Sequence, residues 1–431
     1  MKDGFLLSSE TAKRLYFGTA KDLPIIDYHN HLSVADIANN RSFEGLSELW
    51  LMSDPYKHRL MRICGVPEHF ITGEASPSEK LLRFFEIFPY LAGNPVFDWS
   101  RMELDFFFGI KELPCKKNAE YLIAKADEML RSPEYSAKGL LCRFNIEYQS
   151  PVAEPCEELS CFEKSGVAPS LRADKLLSPD AELKARLEKE SGIKITDTAS
   201  YLKALCPMLN RFNSLGCRFA DHSLDDGFFD EDNERVGLLI KLGNEYARRG
   251  WTLLLHLGAV RKTSSRLAKA AGAAGGYAAA GGPVNVKAIC GLLDGMESLG
   301  KMPDTVLFPL NLSDTGAISV LQGSFSEDGI CSKLQQGPAW WWCDHAYGIN
   351  TTLRSIASFG ALSQFIGMTT DSRSLLSFLR HDYFRRLLCS FLAEQNEKAE
   401  WDLPINYLED ITKKICYSNA VEKIKARGDK K

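Results

Sequence analysis

Two histidines separated by one residue follow an apolar run near the start of the chain. His29 and His31 come directly after Pro24-Ile25-Ile26 and Asp27-Tyr28. On a β-strand, residues two apart point to the same side, so both imidazoles can bind one ion. Alone, the pattern also allows one of the two to form only a hydrogen bond in a loop. We interpret the pair as ligands of a divalent metal, for which zinc is the expected ion.

A carboxylate near the other end of the chain offers a third ligand. Asp371 follows the last apolar run, Gln364-Phe365-Ile366-Gly367-Met368-Thr369. If the strands close into a barrel, the first and last strands become neighbours. Two histidines and one carboxylate then share a corner, and coordination positions stay open for water or substrate.

Four further residues at strand ends could serve the same site. His256 is a candidate ligand or catalytic group, although a lone histidine on an apolar strand is often structural. Arg172 and Arg373 suit bidentate recognition of a carboxylate, or could instead pair with the acids of the site. Trp341, in a run of three tryptophans, offers a wall for a sugar ring or simply core packing.

The elements that must position these residues are short apolar runs separated by helical periodicity. This alternation predicts βα units, and eight of them predict a closed parallel (β/α)₈ TIM barrel, whose active site lies at the carboxyl ends of its strands. The predicted strands span residues 23–28, 144–149, 168–171, 217–221, 252–257, 305–310, 339–343 and 364–369.

Two segments interrupt this regular alternation. Residues of about 33–137 carry helical patterns and predict a large helical insertion after the first strand, beside or over the barrel mouth. The tract 270–282 consists almost wholly of alanine and glycine and predicts a flexible or tightly turned loop without specific chemistry. We expect all of residues 1–431 to form one domain.

Composition narrows the possible partners and the compartment. The formal net charge of −4 offers no basic surface for nucleic acid. No apolar stretch has the length of a signal sequence or a membrane span, so we expect a cytoplasmic protein and no membrane partner. The 12 cysteines lack paired spacing and are expected to be reduced. A homo-oligomer remains open.

From Asp27 to Ser33 the sequence resembles the uronate (glucuronate) isomerase family, a branch of the amidohydrolase superfamily. The resemblance spans nearly the whole chain. The segments that carry it are Trp50-Leu51, Asp54-Pro55-Tyr56-Lys57, Ile71-Thr72-Gly73, Asn94-Pro95, Arg172 with Asp174-Lys175, Asp221-His222, His256 to Arg261, Pro303-Asp304-Thr305, Leu310-Asn311 with Ser313-Asp314, Phe365 to Ser374, and Arg380 to Arg386.

The resemblance implies an aldose-ketose isomerisation of a small hexuronate, D-glucuronate to D-fructuronate or D-galacturonate to D-tagaturonate. It also implies His29, His31 and Asp371 as metal ligands, and Arg172 and Arg373 as substrate contacts with Tyr56 beside them. The sequence departs from the family at four segments near the mouth, namely Pro55, Asp98-Trp99-Ser100-Arg101, Pro151-Val152-Ala153-Glu154-Pro155, and the Ala/Gly tract.

Such an isomerisation moves a proton between C2 and C1 through an enediol. Asp371, or water held by the metal, is the expected base, and Tyr56 is expected to assist. The same corner could generate hydroxide for a metal-dependent hydrolase, but no lysine stands at the fourth strand end to bridge two metals. A non-catalytic paralogue that binds a sugar acid is the remaining alternative.

Overall fold

Seven parallel strands form one sheet in which each strand pairs with the next along the chain. The computed structural model describes residues 2–231 and 233–425. The strand order is sequential, which is the connectivity of a parallel barrel. The strands are β1 (Ile25–Asn30), β2 (Ile146–Ala153), β3 (Ser170–Arg172), β4 (Phe219–Leu224), β5 (Thr252–Leu257), β6 (Asp304–Pro309) and β7 (Leu334–Gln336).

The eighth position is filled by residues 365–372, which form no regular strand ladder. Toward β1, the Asp371 N–H donates to the His29 carbonyl (3.1 Å), and the His31 N–H donates to the Ser372 carbonyl (2.8 Å). Toward β7, the Ile366 N–H donates to Oε1 of Gln335 (2.9 Å). The predicted (β/α)₈ barrel is thus confirmed, but the strand predicted at 364–369 is wrong in detail.

The strand predicted at 339–343 is also wrong, because the seventh strand is Leu334–Gln336. Residues Trp341–Cys343 form a 3₁₀ turn, and Trp341 has a left-handed φ of 49°. The true strand escaped notice because its two glutamines look like surface residues. Both are fully buried, and the side chain of Gln336 accepts a hydrogen bond from Ser319 (2.5 Å), so its burial is compensated.

Helices cover the outside of the barrel and fill the long connection after β1. The predicted helical insertion is present as seven α-helices of five residues or more together with three short 3₁₀ turns. The α-helices between β1 and β2 are Val34–Asn39, Leu46–Trp50, Pro55–Ile63, Pro77–Ile87, Pro95–Phe108, Ala119–Leu130 and Ala137–Leu141, with 3₁₀ turns at Glu68–Phe70, Phe88–Leu91 and Pro133–Tyr135.

The other helices flank the strands and both ends of the chain. They are Glu10–Leu15, Ser160–Ser165, Ala181–Ser191, Thr198–Ser214, Phe228–Glu231, Asn233–Arg248, Ser265–Ala271, Val286–Leu299, Thr315–Leu321, Ala346–Phe359, Leu379–Glu397, Ile405–Lys413 and Asn419–Ile424. Within the described ranges, no helix combines the length and the apolar character that crossing a bilayer requires. The single-domain organisation stays a prediction.

Local sequence explains where the inserted helix nearest the mouth begins. In Pro55–Ile63 the side chain of Asp54 accepts from the N–H groups of Tyr56 (2.9 Å) and Lys57 (3.1 Å). Pro55 occupies the first helical position, where a missing N–H costs nothing. This cap fixes Tyr56 on the first turn, so its ring reaches the barrel.

A fully buried carboxylate, Asp27, joins β1 to the closing segment. Its Oδ1 accepts from the Thr370 N–H (2.7 Å) and lies 3.1 Å from Nε2 of His381. Its Oδ2 accepts from Asn30 Nδ2 (2.7 Å) and Thr370 Oγ1 (2.9 Å). Burial acts to raise the pKa of Asp27, but His381 and the other donors outweigh burial and lower it. The ionised carboxylate is therefore the form that stabilises the closed barrel.

Asp27→Asn should lower the free energy of unfolding at pH 7 by about 2–4 kcal/mol, because an amide N–H₂ would face donors that need an acceptor. A depressed pKa contributes stability that is present above about pH 4 and lost as pH falls through the folded-state pKa. The gap between wild type and variant in urea unfolding should therefore narrow below about pH 4. Exposed Asp22→Asn is the control and should change stability by less than about 0.5 kcal/mol. Equal midpoints for wild type and Asp27→Asn would contradict the role of this carboxylate.

Candidate active site and metal centre

A cavity of about 350 Å³ opens at the carboxyl ends of the strands. It has room for a small organic molecule. All of the site residues predicted from the sequence line it, namely His29, His31, Tyr56, Arg172, His256, Trp341, Asp371 and Arg373. The folding of the chain thus brings together residues from the first strand, the insertion and the closing segment.

The histidine pair and Asp371 form a compact group of metal-ligand types. Nε2 of His31 lies 3.1 Å from Oδ1 of Asp371, and Nε2 of His29 lies 3.4 Å from the same oxygen. Donors bound to one tetrahedral ion at about 2.0–2.2 Å lie about 3.3 Å apart, so this spacing suits one ion. Asp371 holds its position with a left-handed φ of 48°, a strained conformation for a residue other than glycine.

A second group of metal-ligand types shares His29 with the first. His29, Asp221 and His256 are all buried, and one donor atom from each lies within 4.8 Å of the others. Nδ1 of His29 and Oδ1 of Asp221 face each other at 4.0 Å. Neither atom has a hydrogen-bond partner among the described residues. Asp221 was not among the predicted site residues, although Asp221-His222 is one of the segments that carry the family resemblance.

Burial and charge set the protonation of these groups. Burial lowers the pKa of His31 to about 4 despite its contact with Asp371. For His29, burial acts in the same direction, but Asp371 and Asp221 outweigh it and raise the pKa. The pKa of His256 lies well below its ordinary value because of burial and the charge of His29. His31 and His256 therefore carry free lone pairs at neutral pH.

Burial and nearby charge shift the pKa values of the two site carboxylates, Asp371 and Asp221, in opposite directions. Burial acts to raise the pKa of Asp371, but hydrogen bonds from His29 and His31 outweigh it and hold the pKa well below the usual range. For Asp221, burial dominates and raises the pKa to about 7. Asp371 is thus ionised at neutral pH, while Asp221 gains or loses its proton close to neutral pH.

The two predicted substrate arginines have different surroundings. Nε of Arg172 lies 3.5 Å from Asp174 and 3.8 Å from Glu154, so it already has carboxylate partners. Arg373 is exposed to the cavity, and no ion pair joins it to any residue in the described part of the chain. Arg373 is thus the guanidinium left available for an incoming carboxylate.

Tyr56 connects the insertion to the barrel. Its hydroxyl donates either to the Trp341 carbonyl (2.8 Å) or to Oδ2 of Asp344 (3.1 Å). To donate a hydrogen bond to a substrate, the Tyr56 hydroxyl must give up its bond to Trp341 or Asp344. Burial raises its pKa well above the ordinary value, so the phenol stays protonated. Burial also raises the pKa of Asp344 to about 7.

Two cavity arginines were not predicted as site residues. Arg380 is buried between Trp99, 4.0 Å from its ring centroid, and Tyr56, and it lies 3.3 Å from Asp344. Its place inside a long helix gave no sign of this role. Arg261 follows β5, and its Nε donates to Oδ1 of Asp225 (3.0 Å). In the sequence, the signal for Arg261 was only its place in the segment from His256 to Arg261, which carries the family resemblance.

Comparison with known proteins supplies the family. The glucuronate isomerase profile matches residues 1–237 and 230–423. The chain belongs to the glucuronate isomerase family. A uronate isomerase of Bacillus licheniformis is 37% identical over 455 residues, which cover 97% of this chain and 96% of that protein. A uronate isomerase of Caldanaerobacter subterraneus subsp. tengcongensis is 35% identical over 459 residues, which cover 98% of each.

Solved structures in the glucuronate isomerase family have the same fold as this chain. The uronate isomerase of Thermotoga maritima superposes with a TM-score of 0.89 at 26% identity and covers 99% of each chain. The uronate isomerase of Bacillus halodurans, at 17% identity, superposes with a TM-score of 0.74, covering 98% of this chain and 97% of that one. The similarity to the Bacillus halodurans structure concerns the fold alone.

Replacing single ligands should identify which group holds a metal ion. We expect His31→Ala to weaken zinc binding by at least about a hundredfold, because it removes a donor from the His29–His31–Asp371 group. His256→Ala should change zinc affinity by less than about threefold. Competition with a chromophoric chelator measures both, and circular dichroism checks folding. The opposite pattern would place the ion in the His29–Asp221–His256 group.

Proposed function

We propose that this chain is a uronate isomerase that interconverts a hexuronate aldose and its ketose, D-glucuronate with D-fructuronate, D-galacturonate with D-tagaturonate, or both. The observation that carries the proposal is the guanidinium of Arg373, which forms no ion pair with any described residue and shares one cavity with the carboxylate of Asp371. A cation for the acid group and a base for the sugar are what this reaction needs. The names of the relatives support it.

The residues offer a route for the proton. Both histidines contact Oδ1 of Asp371. Oδ2 is therefore the oxygen that remains to accept the proton from C2 and return it to C1. Because the pKa of Asp371 is low, the carboxylate is ready to accept at neutral pH but is a weak base. It needs the substrate proton to be made more acidic.

A divalent ion would meet that need. We propose His29, His31 and Asp371 as its ligands, with zinc as the expected ion, and such an ion supplies positive charge near the sugar oxygens. Neutral His256 would hydrogen-bond a sugar oxygen, because its depressed pKa excludes a role as a cationic acid at neutral pH. Tyr56 would donate a hydrogen bond if its hydroxyl leaves Trp341 or Asp344.

The remaining lining residues would orient the substrate. Arg373 would bind the carboxylate directly, and Arg172, already paired with Asp174 and Glu154, would support it. Trp341 presents its ring to the cavity and would pack against the sugar. A small-molecule hexuronate is the expected partner, and the cytoplasmic location and a homo-oligomeric state stay predictions.

The direct test is to incubate the purified protein with D-glucuronate, D-galacturonate and D-glucose and to follow ketose formation by NMR. We expect ketose from at least one hexuronate and much less from D-glucose. Removal of metal by a chelator, followed by addition of zinc, would show whether activity depends on the ion. Binding of both hexuronates without any ketose would contradict the proposal and favour a non-catalytic sugar-acid-binding protein.

Arg373→Lys should reduce kcat/KM for hexuronates by some tens-fold to about a hundredfold. A lysine keeps the charge but loses the planar fork, and the bidentate pair is worth on the order of 2–3 kcal/mol. The residual rate with D-glucose, which has no carboxylate, should not fall equally. Arg266→Lys is the matched control, because Arg266 is exposed and lies outside the cavity lining. An equal loss for both sugars, with a lower melting temperature, would mean that Arg373 acts structurally.

A further inference from the structure

A buried carboxylate lies behind the hydroxyl of Tyr56. Asp344 directly follows the 3₁₀ turn Trp341–Cys343 and is only 3% exposed. Tyr56 lines the cavity, whereas Asp344 is not among the residues of the lining. Oδ2 of Asp344 lies 3.1 Å from the Tyr56 hydroxyl. The phenol therefore separates this carboxylate from any molecule in the cavity, and Asp344 can reach such a molecule only through Tyr56.

A buried cation contacts the same carboxylate oxygen. Nη1 of Arg380 lies 3.3 Å from Oδ2 of Asp344, and the guanidinium packs on the ring of Tyr56, 4.9 Å from its centroid. An ionised Asp344 thus has both a charged donor and a phenol donor. A protonated Asp344 can instead donate its own hydrogen to the phenol oxygen, because a carboxylic acid is a donor as well as an acceptor. The hydrogen bond between Asp344 and Tyr56 can therefore run in either direction.

Both protonation states of Asp344 are accessible near neutral pH. Burial raises its pKa to about 7, although Arg380 and the hydrogen bond from Tyr56 act to lower it and Asp371 acts to raise it. Burial acts to lower the pKa of Arg380, but the acidic groups around it outweigh burial, so the guanidinium keeps its charge. Tyr383, on the same helix as Arg380, stays uncharged because burial raises its pKa. Among these neighbours, Asp344 is the group that exchanges a proton near pH 7.

An aldose-ketose isomerisation reverses the hydrogen-bonding character of two neighbouring substrate oxygens. In the aldose, O1 is a carbonyl that needs a donor and O2 is a hydroxyl, and in the ketose the two are exchanged. A group that serves these oxygens must therefore donate a proton in one half of the reaction and recover one in the other. Tyr56 alone is poorly suited to this, because burial raises its pKa and makes a phenolate costly. An acid behind the phenol removes that cost by replacing the proton as it leaves.

We propose that Asp344 is a positioning residue that acts through Tyr56, holding the proton that the phenol donates to the substrate and recovers from it. We call the pair the Tyr56–Asp344 relay. This inference rests on the proposed function, and it adds to that function a residue outside the cavity. Arg380 belongs to the relay because it stabilises the carboxylate that remains when Asp344 has given up its proton.

The protons and bonds of the relay balance. In the first half, the C2–H bond breaks and its proton passes to Asp371, the Tyr56 proton passes to O1, and the Asp344 proton passes to the phenol oxygen. The substrate is then an enediol. In the second half, O2 returns a proton to the phenol, the phenol returns its own to Asp344, and the proton of Asp371 forms the new C1–H bond. C1 is reduced and C2 is oxidised within one molecule. One proton is shared by Asp371 and Asp344 throughout, so the net charge of the site stays constant.

The first experiment measures kcat and KM of the metal-loaded Asp344→Asn variant against pH. The amide can donate to the phenol oxygen but cannot release a proton, so kcat should fall about a hundredfold while KM changes by less than about threefold. In the wild type the reaction starts from protonated Asp344, so kcat should fall as pH rises through about 7, and the variant should lack this decline. A decline that persists in Asp344→Asn would belong to another acid, such as Asp221, and would overturn the inference.

Asp314→Asn is the matched control. Asp314 is also a buried carboxylate whose pKa is raised by burial, but it accepts from the Val284 N–H (3.2 Å) and does not line the cavity. We expect this variant to keep both kcat and the decline above pH 7. An equal loss of kcat in Asp314→Asn and Asp344→Asn would mean that any buried carboxylate has this effect, and it would overturn the inference.

The second experiment tests whether Asp344 acts through Tyr56. Tyr56→Phe keeps the Asp344–Arg380 pair and should remove the same decline above pH 7. The double variant Tyr56→Phe/Asp344→Asn should be no slower than Tyr56→Phe, because without the hydroxyl the carboxylate has no path to the substrate. Losses that multiply would show that the two residues act separately and would overturn the inference. If circular dichroism shows that Asp344→Asn does not fold, the pH profile of Tyr56→Phe gives the answer by itself.

Failure of the relay and failure of the proposed function give different results. If the wild type forms ketose but the variants do not behave as expected, the relay is wrong and uronate isomerisation stands. If the wild type forms no ketose from D-glucuronate or D-galacturonate, the proposed function and the relay are both wrong.

Discussion

The buried carboxylate of Asp27 is the contact on which the arrangement of the site depends. It lies on β1 and binds Thr370 through both main chain and side chain. His29 and Asp371, two residues and one residue farther along their respective segments, are brought together by this attachment. Placing an ionised group in the interior is costly unless donors surround it, and here they do. The contacts that close the barrel therefore also bring His29 and Asp371 together.

The insertion and the Ala/Gly tract complete the cavity around that group. Buried charges join the insertion to the barrel: Arg380 packs on Tyr56 and lies near Asp344, while the Tyr56 hydroxyl reaches the same carboxylate. A buried guanidinium needs such partners to offset the loss of water. The polar lining presents cations such as Arg373 to the cavity, and the small residues of the Ala/Gly tract leave space beside them.

Sequence patterns predicted most of this architecture where hydrophobic periodicity and strand-end chemistry agreed. Most of the predicted cavity residues came from strand ends, which a parallel barrel must bring together, whereas Tyr56 was predicted only through the family resemblance. The failures have a physical cause. Gln335 and Gln336 form a buried strand whose side-chain hydrogen bonds replace apolar contacts, and Trp341 belongs to a turn because its φ is left-handed. Arg380 was missed because helical spacing does not reveal which buried cation faces a cavity.

Because the eighth segment, residues 365–372, forms no regular strand ladder, one junction of the barrel differs from the others. The other junctions rely on main-chain groups that every residue possesses, so they tolerate changes of side chain. The junction of the eighth segment has two main-chain hydrogen bonds to β1 but depends further on particular side chains, those of Asp27 and Gln335, and so a single mutation can weaken it. Local opening should begin there. His29 and Asp371 lie on opposite sides of this junction, so an ion bound between them would also hold the two sides together and contribute to the stability of the fold.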